Sequence, residues 1–188
     1  AHPLFTILES DRTVDFIRTF LAQYLQGGLL PVWELSANET DCMIGHHAVS
    51  VIADAYAKGI RGFDAELALE AMMASALQDR FGLKAYSEYG YIPSEEAGQS
   101  VSRTLEYAYD DWCIARMAGM LGRQREEAVF LARAQGYRHL FDPSTGFMRA
   151  RLNGGWVTPF DPAEVNFHYT EANSWQYSFY VPHDISGL

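Results

Sequence analysis

VSRTLEYAYDDWCIARMA, residues 101–118, carries the most regular pattern in the chain. Val101, Leu105, Ala108, Trp112 and Ala115 recur at steps of four, three, four and three, which aligns them along one stripe of an α-helix. The pattern predicts a helix over residues 99–121. Similar spacing recurs on both sides of it. Val14, Ile17, Leu21 and Tyr24 form a first helix, with a cap among residues 10–13 and a stop at Gly27-Gly28. Residues 46–58 form a second, with Val51, Ile52, Ala55 and Tyr56 inward and Gly59 ending it. Asp64 caps a third that carries Leu69, Met72, Met73, Ala76 and Leu77. A fifth, over residues 123–140, turns Val129, Leu131, Ala132 and Leu140 inward. The expected fold class is all-α, built from helical hairpins.

Three long irregular segments separate these helices: residues 29–45, 84–98 and 142–173. Loops of this length are uncommon in compact domains unless they carry function. They alternate with short connections, which places them at one common end of the helical array. In the last of them, residues 147–152 and 156–160 flank Asn153-Gly154-Gly155, the signal of a small β-hairpin. No repeat period of a simple solenoid is present.

Composition narrows the function. A chain of 188 residues with 48% hydrophobic and 20% charged residues suits one globular domain. A formal net charge of −10 excludes nucleic acid as the expected partner, because phosphates are met by Lys and Arg. No basic run suits an anionic membrane surface, and no segment approaches the roughly 18 apolar residues of a spanning helix. The two cysteines, Cys42 and Cys113, permit one bridge without implying it. Aromatic residues make up 14% of the chain; a core rich in Phe and Tyr accounts for most of them, and such side chains also build stacking walls for sugars and other flat apolar faces. The chain opens without Met and stops just after its richest motif, so it is expected to be one piece, residues 1–188, of a longer catalytic domain.

That motif is YTEANSWQYSFYVPHD, residues 169–184. A helix is expected to start at Ser174, capped by Asn173 or Ser174, and to be stopped by Pro182. Glu171 falls just before it, among aromatic side chains. A carboxylic acid in such a setting can stay protonated at neutral pH and donate a proton. Glu34 and Asp184 are the other loop carboxylates beside aromatics. Glycoside cleavage needs one such acid at the leaving oxygen and a second carboxylate for water or direct attack. Glu106, Asp110 and Asp111 share the Trp112 helix and are expected on a solvated or Arg103-paired stripe. His46 and His47, adjacent at a helix start, point about 100° apart and do not suit a shared metal. No phosphate loop, GxSxG or HExxH motif occurs.

Taken together, the stretches MIGHHAVSVIADAYAKGIRGFD (43–64), EYGYIP (88–93), VSRTLEYAYDDWCIARMA (101–118), LFDPSTGFMR (140–149) and YTEANSWQYSFYVPHD (169–184) resemble glycoside hydrolase family 92, the calcium-dependent exo-acting α-mannosidases. The resemblance covers nearly the whole chain, in order. It implies a partial (α/α)6 barrel, with the second half of the barrel and an N-terminal β-sandwich outside these residues. It implies inverting release of terminal α-linked mannose from glycans, calcium as cofactor, and a secreted or periplasmic location. It places the general acid of the Thr-Glu-Gly-Asn-Ser-Trp motif at Glu171, with Ala172 standing where that motif commonly has Gly.

The general base belongs to an Asp-rich motif not found here, so the fragment alone is expected to be inactive. Calcium ligands are not assignable within it. For mannose contacts, position and chemistry nominate Trp33, His47, Tyr91, Arg149, Asn173 and Gln176. Exposed inner-helix surface would pair with the missing half of the barrel or with a second copy. The rival readings are another (α/α)-barrel glycosidase or lyase, and a helical interaction scaffold without activity.

Overall fold

A computed structural model describes residues 1–188. In chain order the elements are α1 (His2–Leu8), α2 (Ser10–Gly27), β1 (Glu34–Leu35), β2 (Asn38–Glu39), α3 (Ala48–Ala57), α4 (Ala65–Ala76) and α5 (Leu83–Tyr89). They continue with α6 (Ser100–Met120), α7 (Gln124–Arg133), a 3-10 segment (Ala134–His139), β3 (Phe141–Asp142), β4 (Phe147–Met148), β5 (Arg151–Leu152), β6 (Gly155–Trp156) and α8 (Ser174–Tyr177). The fold class is all-α. Where one hairpin was expected, three two-stranded antiparallel ribbons form, β1–β2, β3–β4 and β5–β6. The chain divides into two compact units.

The first unit comprises Ala1–Ala76 and Asp110–Leu131. Its core holds Ile17, Val49, Ile52, Ala55, Met72, Ile114 and Met117, all without solvent exposure. Helix α2 ends as expected, where the Gly28 N–H reaches the Tyr24 carbonyl, but residues 10–13, expected as its cap, lie within it, and the N-cap is Glu9 with no side-chain hydrogen bond. Asp64 caps α4 as expected, its Oδ1 accepting from the N–H groups of Glu66 (3.1 Å) and Leu67 (3.0 Å). On α3 the inward face is Val49, Ile52 and Ala55, while Val51 and Tyr56 are only half-buried. Helix α1 escaped the sequence reading because its seven residues carry no fully buried position, though His2 and Phe5 are half-buried against the Phe16 ring. Cys42 and Cys113 are free thiols.

The second unit comprises Leu77–Tyr109 and Ala132–Leu188. Val101, Leu105 and Ala108 of the deciding stripe pack with Tyr137, Leu140, Met148, Ala150, Tyr169 and Val181. A smaller cluster joins Leu83 and Tyr86 of α5 to Ile92 and Tyr107. Helix α5 lies in a segment expected to be irregular. Its seven residues are too few to show a period.

The helix expected over residues 123–140 changes character instead of running through. It is α-helical to Arg133 and then tightens into the 3-10 segment. The Tyr86 hydroxyl donates to the Arg133 carbonyl (2.7 Å), meeting an acceptor at the end of α7. Gly136 permits this packing. A Cβ there would lie 2.5 Å from the Gly90 carbonyl oxygen and 2.8 Å from Tyr86 Cε2. Gly136→Ala is therefore expected to destabilise the protein by about 1–3 kcal/mol through overpacking. The check is a lower urea midpoint at unchanged m-value.

Candidate active site

The loop before α8 meets backbone groups at the start of helix α6. The His168 carbonyl accepts from the N–H groups of Val101 (3.2 Å) and Ser102 (3.4 Å), and Ser102 Oγ accepts from the Thr170 N–H (2.8 Å). Two further bonds tie the same loop to the β4 end. Tyr169 and Ser174 hydroxyls both donate to the Met148 carbonyl, at 2.8 and 2.6 Å. Residues on both sides of Glu171 are thus anchored.

Glu171 itself is exposed, has φ of 51°, and makes no hydrogen bond or ion pair within the chain. A positive φ in a side-chain-bearing residue is sparsely populated and persists where surrounding contacts impose it. The position with positive φ is 171, and Ala172 has an ordinary backbone, which accounts for Ala fitting where the related motif has Gly. Tyr177 lies beside the acid. Burial raises the Tyr177 phenol above its usual range, the Ser102 and Thr170 hydroxyls oppose this, and the negative charges of Glu106 and Glu171 add to it. The other two loop carboxylates are committed. Glu34 accepts from Gln23 Nε2. Asp184 accepts from the Tyr137 hydroxyl (2.7 Å) and Arg138 (3.1 Å), and these partners hold it below the ordinary carboxylate range.

Asn173, not Ser174, is the cap of α8, in a full reciprocal box. Asn173 Oδ1 accepts from the Gln176 N–H (3.2 Å), and Gln176 Oε1 accepts from the Asn173 N–H (3.1 Å). The free amides at the helix start are served by this box and not by Glu171. The helix is one turn long and ends at Tyr177, well before Pro182. Asn173→Ala is expected to lower stability by about 1 kcal/mol, read as a shift in the unfolding midpoint.

Arg149 directs four donor contacts inward: Nη1 to Asp142 Oδ2 (2.9 Å), Nε and Nη2 to the Val157 carbonyl (2.9 and 2.7 Å), and Nη2 to Thr158 Oγ1 (3.0 Å). It clamps the residue 157–158 strand end to the Asp142 turn and lies over the Phe160 ring. Tyr91 is half-buried, with Arg151 over its ring at 5.1 Å and His139 at 5.8 Å. Next to α8, Phe147 and Trp175 meet edge-on at 4.6 Å.

Of the residues nominated in the first unit, Trp33 is 46% exposed. Its backbone is held by the Glu39 carboxylate, which accepts from the N–H groups of Val32 (2.7 Å), Trp33 (3.2 Å), Thr40 (2.9 Å) and Asp41 (3.0 Å). His47 meets Asp110. The His47 Nδ1 to Asp110 Oδ1 distance is 2.8 Å, and Asp110 Oδ2 accepts the His46 N–H at 2.8 Å. Asp110 is fully buried, which alone would raise its carboxyl, yet the two imidazoles and these hydrogen bonds bring it below the ordinary range.

This corrects the expectation of a solvated acidic stripe. Asp110 and Asp111 are 0% exposed and Glu106 is 8% exposed, while Arg103 reaches Phe81 and Gln99 instead. The signal was available: Asp111 sits three residues after Ala108 and four before Ala115, on the apolar stripe itself.

Calcium takes six to eight oxygen ligands. No three His, Cys, Asp or Glu side chains within residues 1–188 are disposed to hold a metal ion. Residues 1–188 thus supply no carboxylate cluster for the ion.

Fold and site define a class: an all-α domain that holds an exposed loop carboxylate, Glu171, near Tyr177 and between anchored residues, with no hydrogen bond or ion pair of its own. The whole chain, residues 1–188, matches the model of the glycosyl hydrolase family 92 catalytic domain, and the chain belongs to that family. A family 92 α-mannosidase from Bacteroides thetaiotaomicron superposes with a TM-score of 0.95 at 44% identity, over 99% of this chain and 26% of its own. That mannosidase is also solved in complex with mannoimidazole. An inverting family 92 mannosidase from B. thetaiotaomicron VPI-5482 gives 0.93 at 38% identity, over 99% and 26%. An uncharacterized secreted glycosidase of Arthroderma benhamiae is 29% identical over 93% of this chain and 28% of its own length. The chain therefore spans about a quarter of these relatives. Its helical hairpins share the α/α-barrel fold of the solved ones. No helix is long and apolar enough to cross a membrane.

Proposed function

We propose that the chain is the acid-bearing part of an exo-acting α-mannosidase that releases terminal α-linked mannose from glycans with inversion. The observation that carries this is Glu171. Among the three loop carboxylates nominated from sequence it alone makes no hydrogen bond or ion pair within the chain, and it stands in the family's motif. In this role the Glu171 carboxyl donates its proton to the departing glycosidic oxygen while a second carboxylate, roughly 6.5–9.5 Å away, activates water on the opposite face. That base, and the calcium ion the family implies, are assigned to the remainder of the enzyme. Tyr91, Asn173 and Gln176 of the second unit, and Trp33 and His47 of the first, are each proposed as mannose contacts by their chemistry, and Arg149 as a residue that holds the 157–158 segment beside the Asp142 turn. A secreted or periplasmic location agrees with the secreted relative.

The test is the anomer first released by the whole enzyme from an aryl α-mannoside, followed by proton NMR. Early β-mannose is the expected result. Early α-mannose would mean retention, and cleavage of uronic-acid polymers in place of mannosides would replace this reading with that of a lyase.

A further inference from the structure

We infer that Tyr177 is a positioning residue for Glu171: its hydroxyl holds the peptide between residues 170 and 171 and so keeps the acid in its left-handed backbone conformation. The catalytic half of this assignment rests on the mannosidase reading. The backbone half rests on geometry within the second unit.

Glu171 has no hydrogen bond or ion pair of its own, so nothing at its carboxyl fixes where the side chain points. The direction of its Cα–Cβ bond, set by the backbone, is then what places the proton donor. That backbone has φ of 51°, a region that side-chain-bearing residues occupy at a cost. The least disruptive way out is rotation of the 170–171 peptide plane, which changes ψ of Thr170 and φ of Glu171 together and leaves the flanking chain in place. The Thr170 carbonyl is the group such a rotation would swing, and it accepts from the Tyr177 hydroxyl at 3.3 Å.

The chain is also held on either side of that peptide. The Thr170 N–H donates to Ser102 Oγ at 2.8 Å, and Ser102 is wholly buried on α6. Beyond Glu171, the Asn173 N–H donates to Gln176 Oε1 at 3.1 Å. The Tyr177 hydroxyl is the group that meets the 170–171 peptide itself. Tyr177 is well fixed for this task. It closes α8, its N–H donating to the Asn173 carbonyl at 3.2 Å, and its ring centroid lies 6.2 Å from that of Tyr169 and 6.3 Å from that of Tyr180. Burial, joined by the charges of Glu106 and Glu171, keeps the phenol above its ordinary range, so it remains a donor wherever a carboxyl group can act as an acid.

Tyr177→Phe removes the hydroxyl and keeps the ring, so the fold should survive. The experiment is kinetics of the whole enzyme on a mannosyl disaccharide and on a dinitrophenyl α-mannoside, with crystal structures of wild type and variant. On the disaccharide, kcat should fall about tenfold with KM nearly constant, because the acid is misplaced and the sugar contacts are not. The dinitrophenyl group leaves without a proton, so that substrate should lose less than about threefold. In a Glu171→Gln background, Tyr177→Phe should cost nothing further on the disaccharide. In the variant crystal, the 170–171 peptide should be turned and the Glu171 carboxyl displaced.

Equal losses on the two substrates would overturn the inference, as would a loss confined to KM, since these would come from general loosening or from sugar binding. A variant that keeps the positive φ at residue 171 and hydrolyses the disaccharide at the wild-type rate would sink this inference alone. Absence of mannoside hydrolysis in the wild type would sink the functional reading and the catalytic half together. The crystal comparison would still decide the backbone half, a turned peptide supporting it and an unmoved one refuting it.

Discussion

Glu171→Gln in the whole enzyme is expected to lower kcat on a mannosyl disaccharide by about a hundredfold to ten-thousandfold. The amide is isosteric but has no acidic proton to give, and a sugar alkoxide is a poor leaving group without one. A dinitrophenyl α-mannoside leaves as a stable phenolate, so its hydrolysis should fall far less. That contrast separates a general acid from a residue that merely binds sugar, whose loss would depress both substrates alike. The fold should not register the change. Glu171 is exposed and bonded to nothing within the chain, so stability should stay within about 0.5 kcal/mol of the wild type. Equal loss on both substrates would remove Glu171 from the acid role.

The second large effect is on stability. Arg149→Ala is expected to cost about 2–3 kcal/mol, below the full penalty for breaking a buried pair because Arg149 remains 12% exposed at its side chain. Asp142 is 1% exposed and would keep only its Ser144 contacts, Oδ1 accepting from the N–H (2.9 Å) and Oγ (2.6 Å). Burial works to raise the Asp142 carboxyl, but Ser144 and Arg149 together hold it below the ordinary carboxylate range. A depressed folded-state pKa contributes stability above the unfolded value, and that contribution is lost as pH falls through the folded value. Removing Arg149 should therefore move the onset of acid unfolding to higher pH. Urea midpoints measured across the acid range check both claims. A variant as stable as wild type but with a raised KM would return Arg149 to the role of direct sugar ligand.

The helices that bury a continuous stripe were legible from spacing: α6 lies within a residue of its expected range, while α2 starts inside its expected cap and α4 stops at Ala76, leaving Leu77 exposed. What failed has a physical pattern. Helices α1 and α5 have seven residues each, too few to carry a period to detect. The break at Arg133 is imposed by Tyr86 and Gly90, which are distant in sequence from Gly136. The motif around Glu171 was readable as a helix start, but the bonds from His168 and Thr170 to α6 were not, because they depend on tertiary contact. Likewise the Asp110 carboxylate looked solvated as long as its helix was judged by one face. Residues 100–118 are buried on nearly every side, which forces Asp110 and Asp111 inside and obliges them to find donors.

The bonds from residues 168 and 170 to the start of α6 divide the last long segment into two regimes of change. Residues 168–174 double as the end of a core helix, so lengthening the chain there would displace the acid and unseat the helix together. Residues 161–165 lie outside those bonds and are largely exposed, and their hold on the rest is a few carbonyls such as that of Pro162. Insertions or shuffled sequences belong in this second stretch, where the chain can be redrawn while Glu171, the proposed proton donor, stays in register.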